Sequence, residues 1–270
     1  MSTTTFPLSG PTGLQLRIGS GSLTVHARDG LTEASVTLVP RLADSDIAER
    51  TLVELRGSTL YVMSPRQGGI FDLPILGGHR HNHNAMDVTV TLPSGSAVKA
   101  TTSTADIAVD GRCGTADIAS GGSTISLDEV DGDLRLRYGS STCQVGRVSG
   151  SVELRSGSGD ARFGEIGGEL SSARGNGRLD VTAVHGPVRT RSGSGPTTLA
   201  AVHADVDVAS GAGELAIGIP AGQAARLDVT TGSGRVDSEL PVGEKPARSG
   251  ETITIRAKTG SGDVRLFRAA

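Results

Sequence analysis

Glycines recur at a constant interval of about 18 residues through the middle of this chain, and this period constrains the fold more than any other feature. A second glycine series has the same period. The two series are Gly121, Gly139, Gly157, Gly175, Gly193 and Gly211, and Gly114, Gly132, Gly150, Gly168 and Gly186. Such a period is typical of solenoids, in which each repeat is one coil that cannot bury its apolar face alone. It predicts a stack of thin coils.

When the repeats are aligned on their glycines, apolar residues form five columns. The columns begin at Ala116, Ile118, Ile125, Leu127 and Val130. The first two columns are two residues apart, as are the third and fourth, and this spacing indicates strands that point alternate side chains inward. Each coil is therefore predicted to hold two short strands separated by a Ser-Gly-x-Gly turn, with each residue beside its equivalent in a parallel neighbouring coil.

These features predict an all-β, single-domain parallel β-helix (β-solenoid) with about 18 residues per coil. We favour the right-handed form because right-handed crossovers are the rule for parallel strands. A left-handed hexapeptide helix is rejected, since it needs an apolar residue about every six positions. The frame places a first coil in residues 1–33, regular coils in 93–220, and C-terminal coils with a loop excursion in 221–270.

Residues 34–92 interrupt the coil pattern. Four segments alternate like strands, and a fifth, at 44–50, is predicted to be a short helix capped by Asp44 or Ser45. The strand segments are 34–39, 52–55, 60–63 and 86–92. Because open solenoid ends expose unpaired strand edges, we interpret this insert of antiparallel strands and one short helix as a cap or flank over the early coils. A second surface loop is expected at Pro241 to Gly250, which is rich in Pro, Gly and charge.

Composition narrows the function classes. The formal charge of −3 provides no global field that would attract nucleic acid. No signal-peptide pattern appears in Met1 to Pro11, and no apolar run approaches the roughly 20 residues of a membrane span, so we expect a soluble, cytoplasmic protein without membrane insertion. Cys113 and Cys143 fall in different columns, which predicts free thiols, with Cys143 buried.

Histidines are the main candidate metal ligands. His79, His81 and His83 alternate along a Gly-rich stretch, where they could converge on Zn, Ni or Cu. They lack a carboxylate or thiolate at a recognisable spacing, so we favour a solvated loop. His185 and His203 are one coil period apart and are predicted to stack, in a column that otherwise resembles an ordinary turn.

Arginines form a partial ladder on the predicted outer surface. Arg137 lies beside Arg155, and the ladder resumes at Arg191. It could bind an anion or an acidic partner, although we favour a solvated face. Two cross-strand ion pairs are also expected: Arg135 with Glu153, and Arg162 with Asp180.

Motifs for catalysis are missing from the sequence. No Gly-Lys-Ser/Thr follows a glycine turn, and no Ser, His and Asp stand in a hydrolase motif. Asp160 resembles a calcium-roll ligand, but the equivalent positions in later coils hold Arg178, Pro196 and Glu214. The outer columns lack the cluster of carboxylate side chains that a pectin-cleaving β-helix carries on one outer face. We therefore assign no catalytic, cofactor-binding or metal-binding residue and expect a protein that is not an enzyme.

Three further segments carry a family resemblance. They are Ile18-Gly19-Ser20-Gly21, the segment from Asp87 to Gly95, and the ending from Lys258 to Leu266, in addition to the repeated Ser-Gly-x-Gly turns. In these motifs the chain resembles the bacterial putative-adhesin β-strand-repeat family, a domain of unknown function. The resemblance covers nearly the whole chain. It implies a β-solenoid without known catalytic residues, and ties of some members to envelope-stress systems.

Three functions follow as hypotheses. The first is a non-catalytic binding scaffold that presents a rigid strand face to a protein partner, in a regulatory or stress-response system. The second is a structural protein that self-associates through its coil ends, as a dimer or end to end. The third and least favoured is a polysaccharide-active β-helix enzyme.

Overall fold

The computed structural model describes residues 1–65, 84–240 and 252–269, and strands dominate these ranges. The chain forms two compact units, residues 1–131 and 132–270. The first contains β1 (Ser2–Pro7), β2 (Gly13–Arg28), β3 (Glu33–Pro40), α1 (Ile47–Arg50), β4 (Leu52–Arg56), β5 (Thr59–Met63), β6 (Ala85–Pro93), β7 (Val98–Cys113), β8 (Ala116–Ser120) and β9 (Thr124–Val130).

The second unit contains β10 (Leu134–Ser140), β11 (Thr142–Val148), β12 (Val152–Ser158), β13 (Ala161–Ile166), β14 (Leu170–Arg174), β15 (Leu179–Val184), β16 (Val188–Ser194), β17 (Thr197–Leu199), β18 (Val206–Ala212), β19 (Leu215–Ile219), β20 (Ala225–Ser233), β21 (Val236–Ser238), β22 (Ile253–Ser261) and β23 (Val264–Arg268). Parallel stacks of strands in both units confirm the predicted β-solenoid. That the whole chain forms a single domain stays a prediction.

Strand β2 is the centre of the parallel stack in the first unit. On one edge it pairs with β7, where Leu14 lies beside Val98. On its other edge it pairs with β5 and β6, where Leu14 lies beside Leu60 and Leu23 beside Val88. The interpretation of residues 34–92 as an antiparallel insert is thus only partly correct. Strands β5 and β6 run parallel to β2 and add a layer to the stack, which lets their alternating apolar side chains share its core.

Antiparallel strands complete this part of the first unit, as predicted. Strand β3 pairs with both β1 and β6, and β4 pairs with β5. The predicted helix cap at Asp44 or Ser45 is wrong, because α1 begins at Ile47 and its N-cap is Asp46, which makes no side-chain capping bond. Burial of Ile47 sets this start, while Ser45 Oγ accepts a hydrogen bond from the Ile47 N–H at 3.3 Å.

Successive coils of the second unit stack in the predicted 18-residue register. Leu170 lies beside Val188 in the first strands of two coils, and Cys143 lies beside Ala161 in the second strands. All five predicted columns are buried in the units to which they belong. Each buried Leu, Val or Ile contributes about 1.5–3 kcal/mol, so the narrow interior is stabilised by many aliphatic side chains instead of by aromatic rings.

The two C-terminal coils do not stack in chain order. The last coil, β22 and β23, lies directly against β18 and β19, and it carries β20 and β21 on its other side. Ile253, Ile255 and Ala257 of β22 are buried, whereas Leu227 of β20 stays 37% exposed. Strand β22 therefore takes the inner place and β20 the outer one. The predicted loop excursion, Pro241 to Gly250, lies outside the described residues.

The glycines of the Ser-Gly-x-Gly turn have two different roles. The second glycine, such as Gly195, has a positive φ of 106°, which glycine adopts without steric cost. The first, such as Gly193, does not have a positive φ. A Cβ atom on Gly193 would lie 2.6 Å from the carbonyl oxygen of Gly175, so this position requires glycine because the backbones of neighbouring coils approach closely.

Among the described residues of the second unit, one charged side chain is buried. Arg174 is 5% exposed, and it donates from Nη1 to Gly177 O at 2.7 Å and from Nη2 to Thr197 Oγ1 at 2.8 Å. Burial lowers the pKa of Arg174. It occupies the column of Ser156 and Ser192, just before the turn. The turn carbonyl and the threonine hydroxyl therefore solvate a guanidinium that has no ion pair among the described residues.

The close approach of the coils predicts that Gly193→Ala destabilises the protein. The new methyl group would meet a backbone oxygen held in place by parallel strands, so we expect a loss of about 1–3 kcal/mol in the free energy of unfolding. Gly10→Ala is the control, because nothing lies within 4 Å of a Cβ there. Urea denaturation measures both variants, and equal stabilities would contradict the close-packing argument.

The buried guanidinium predicts a similar loss for Thr197→Val. This nearly isosteric change removes an acceptor from Arg174, and we expect a cost of about 1–3 kcal/mol. Thr198→Val, on the outer side of the same strand, should change stability by less than about 0.5 kcal/mol. Thermal unfolding of the two variants provides the comparison. A Thr197→Val protein as stable as wild type would show that Thr197 does not solvate the buried charge.

Candidate functional site

Charged side chains recur along one outer surface of the second unit. We call it the basic face, and define it as the outward side chains of β10, β12, β14, β16, β18 and β22. The strand register aligns these strands side by side. Its residues are Arg135, Arg137, Glu153, Arg155, Ser171, Ala173, Arg189, Arg191, Asp207, Ala209, Arg256 and Lys258.

The basic face has seven cationic side chains and two carboxylates, a net charge of +5. The whole chain has a formal charge of −3. Positive charge is therefore concentrated on one surface of a chain that is acidic overall. A local field of this kind attracts anionic groups even where the net charge does not.

Ion pairs hold several of these arginines in place. Glu153 lies 2.8 Å from Arg135 Nε and 3.0 Å from Arg155 Nη2, which confirms the predicted Arg135–Glu153 pair. Arg191 forms a bidentate ion pair with Asp207, in which the Nη2–Oδ2 distance is 3.0 Å. The hydrogen bond from Arg191 lowers the pKa of Asp207, and the one from Arg135 lowers the pKa of Glu153. Both carboxylates are thus charged at neutral pH and orient the guanidinium groups.

Other cations of the basic face are not neutralised in this way. Arg256 and Lys258 make no ion pair with a described residue, and they act on Asp207 only through a weaker coulombic attraction. The side chain of Arg155 remains 69% exposed and that of Arg191 57% exposed despite their carboxylate partners. The surface therefore keeps donors that a bound molecule can reach.

A groove with a volume of about 530 Å³ lies within the basic face. Among the described residues, Arg191 is the one exposed charged residue that lines the groove. The rest of the lining consists mainly of glycine, alanine and serine. The lining residues are Ser156, Ala173, Arg174, Gly175, Arg191, Ser192, Gly193, Ala209, Ser210 and Gly211. The groove is shallow and open to solvent.

The predicted stacking of two histidines is present. The rings of His185 and His203 lie 4.6 Å apart at an interplanar angle of 17°, and His185 Nε2 lies 3.0 Å from Glu165 Oε1. No group of three metal-capable side chains occurs among residues 1–65, 84–240 and 252–269. His79, His81 and His83 lie outside these described residues, so the interpretation of that loop stays a prediction.

Aspartates at the coil corners bind backbone. Asp160 Oδ1 accepts a hydrogen bond from the Arg178 N–H of the next coil at 2.9 Å, and Asp133 Oδ1 accepts one from the Ser151 N–H at 2.8 Å. The carboxylate of Asp160 thus links two coils, which gives it a structural role. The predicted Arg162–Asp180 pair is also present, at 3.6 Å.

Both cysteines are buried free thiols, as predicted for Cys143. Burial raises the pKa of Cys143 to about 12 and that of Cys113 to about 11. Both side chains are therefore thiols, not thiolates, at neutral pH, and are poor nucleophiles.

The first unit contains a polar cluster that sequence reasoning missed. Asp110 accepts hydrogen bonds from Arg28 and from His26 Nδ1, the latter at 3.1 Å, and these bonds lower its pKa to about 2. In each contact the two partners are distant along the chain. They meet because β2 and β7 lie side by side in parallel register.

Sequence reasoning found part of the basic face and missed the rest. The predicted ladder of Arg137, Arg155 and Arg191 lies on it, in one column. Arg189 was detectable by the same repeat count. Lys258 was not, because it pairs with Ala209 across a much longer stretch of chain than one coil, which follows from the exchanged order of the last coils.

Similar folds occur among solved bacterial structures. A putative adhesin from Parabacteroides merdae is 11% identical, with a TM-score of 0.50 and coverage of 98% of this chain and 95% of that one. A putative adhesin from Bacteroides fragilis is 14% identical, with a TM-score of 0.40 and coverage of 98% and 96%. At these identities a likeness concerns the fold alone.

A third solved structure, a putative lipid binding protein from Parabacteroides distasonis, is 11% identical with a TM-score of 0.29, covering 97% of this chain and 96% of that one. The comparison with curated proteins finds no match. Within the described ranges, no helix has the length and apolar character that a membrane span requires.

The family comparison covers almost all of the chain. The model of the Toastrack DUF4097 family matches residues 15–270, which include the coils of both units and the whole basic face. This match agrees with the β-strand-repeat resemblance of the glycine turns. The chain belongs to the Toastrack DUF4097 family.

Proposed function

We propose that this protein is a non-catalytic scaffold that binds a protein partner on its basic face. The groove of about 530 Å³ is the observation that carries the proposal. Its floor consists of strands that pair with parallel neighbours on both sides, so the surface is formed before a partner arrives. A preformed site loses little conformational entropy on binding, which favours affinity.

The side chains of the groove support a protein partner. The short side chains of Ala173 and Ala209 leave room on either side of Arg191, which lines the groove between them. Arginine is enriched at protein interfaces because its guanidinium both stacks and donates several hydrogen bonds. Shallow small-residue floors let another chain approach the backbone closely.

The family supports a binding role over a catalytic one. The structure from Parabacteroides merdae, which has a similar fold, is named for adhesion and not for a reaction. Because the chain resembles a family in which some members are tied to envelope-stress systems, we place the partner in a regulatory or stress-response system.

Self-association is the second candidate, and the outermost C-terminal coil, formed by β20 and β21, favours it. Strand β20 pairs only with β22 among the described strands, which leaves its other edge without a described strand partner. Leu227 is 37% exposed and Val236 49% exposed on this coil. A parallel edge strand that carries exposed apolar side chains favours addition of another strand.

Filling the groove should strongly reduce partner capture. In Ala173→Trp the indole occupies the space beside Arg191, and we expect at least about a tenfold drop in partner recovered from native lysate, equivalent to about 1.4 kcal/mol. Thr182→Trp, an exposed outward position on β15, is the control and should capture as wild type does. Recovery of the same partners by both variants would contradict binding in the groove.

The second candidate predicts a mass that depends on concentration. Light scattering should show the wild-type protein rising above its 27.4 kDa monomer mass as concentration increases. A charge at Leu227→Lys or Val236→Lys should hold the protein at the monomer mass, because it would be buried between coils on association. Thr230→Lys, exposed on β20, should associate like wild type. A wild-type monomer at every concentration would exclude this candidate.

A further inference from the structure

The basic face contains a column in which cations alternate with alanine. The register places Arg155 beside Ala173, Ala173 beside Arg191, Arg191 beside Ala209, and Ala209 beside Lys258. From β12 to β22 the column therefore has a cation on every second strand, separated by alanines, and beyond β12 Arg137 of β10 lies directly beside Arg155. Both alanines line the groove.

Strand geometry sets the distance between these cations. Neighbouring strands lie about 4.8 Å apart, so backbone positions on alternate strands are separated by about 9.6 Å. From Arg155 to Lys258 the column spans four strand intervals, or about 19 Å. The parallel hydrogen bonds hold this spacing, so the charges form a regular row along the stack.

Each cation of the row keeps the capacity to bind. Arg155 is 69% exposed, and Lys258 has no ion pair with a described residue. Arg191 uses its Nη groups on Asp207 and on two backbone carbonyls, while its Nε–H makes no hydrogen bond with a described residue. Asp207 thus orients Arg191 without consuming all its donors.

The spacing distinguishes between possible conformations of an acidic chain. In a β-strand, side chains on the same face recur about every 6.6 Å, which does not match the row. In polyproline II conformation there are three residues per turn and about 3.1 Å per residue, so every third side chain recurs at about 9.3 Å on one face. Seven residues in this conformation span about 19 Å.

We infer that the partner contributes an acidic protein segment in polyproline II conformation, with carboxylates at every third residue facing Arg155, Arg191 and Lys258. This inference rests on the proposed function and names the chemistry of its partner. Small side chains of the segment lie over Ala173 and Ala209, where the groove has room. Charge complementarity steers the segment to this surface, and the regular spacing of the row sets its register.

Two peptides of equal composition test the inference. The spaced peptide has Glu at positions one, four and seven with Pro between, and the clustered peptide has three adjacent Glu followed by four Pro. Fluorescence anisotropy with labelled peptides at low salt should show tighter binding of the spaced peptide by about threefold or more, and weaker binding as salt rises. Equal affinity for both peptides would overturn the predicted spacing.

Variants of the row provide the second arm. Arg155→Gln and Lys258→Gln should each raise the Kd of the spaced peptide about two- to fivefold, the range that exposed ion pairs support. Arg162→Gln removes an exposed, ion-paired arginine of β13 and is the matched control. An unchanged Kd in both row variants would contradict the assignment, as would tighter binding of a sulfated polysaccharide of equal charge than of the spaced peptide.

The peptide result is separable from the proposed function. If lysate capture depends on the groove but no acidic peptide binds, the scaffold role stands and the inference about its partner fails. If the spaced peptide binds and the Gln variants weaken it, while Ala173→Trp leaves lysate capture intact, the row selects spaced carboxylates, but the proposed function fails and the segment is not assigned to the captured partners.

Discussion

The regular coils of the second unit depend on parallel hydrogen bonding between strands that are offset by one constant sequence interval. Each strand of the repeat region is held at both edges, and this pairing brings side chains of one column to within one strand spacing. The interval imposes glycine where backbones approach most closely, as at Gly193 against Gly175. It also confines the core to aliphatic columns one side chain wide.

This narrow core explains why a few polar residues inside it are tolerated. Arg174 stands at the end of a strand, where the turn carbonyl of Gly177 and the hydroxyl of Thr197 accept its hydrogen bonds. At the centre of a wide core the same charge would lack such acceptors, and its desolvation would cost several kcal/mol. In a solenoid with short strands, interior side chains lie close to a turn, and the turn backbone can accept their hydrogen bonds.

The outer surface follows from the same pairing. A column that alternates cation and alanine becomes a row of charges with a groove between them only because the strands are held in register. The ion pair of Arg191 and Asp207 then orients the row without removing its positive excess. Rigid spacing is the property that a binding scaffold offers and that an isolated strand, free to twist and slip, does not.

The sequence by itself determined the strand content, the coil length and the buried columns, because a regular period of glycine and aliphatic residues is compatible with few folds other than a solenoid. It also located Arg155 and Arg191, which are two periods apart. Only the tertiary structure decided the parallel role of β5 and β6, the exchanged order of the last two coils, and hence the place of Lys258 in the row. These features depend on how much apolar surface each strand buries against each possible neighbour. Such long-range pairings compete with one another, and the local periodicity of the sequence does not show which pairing is more stable.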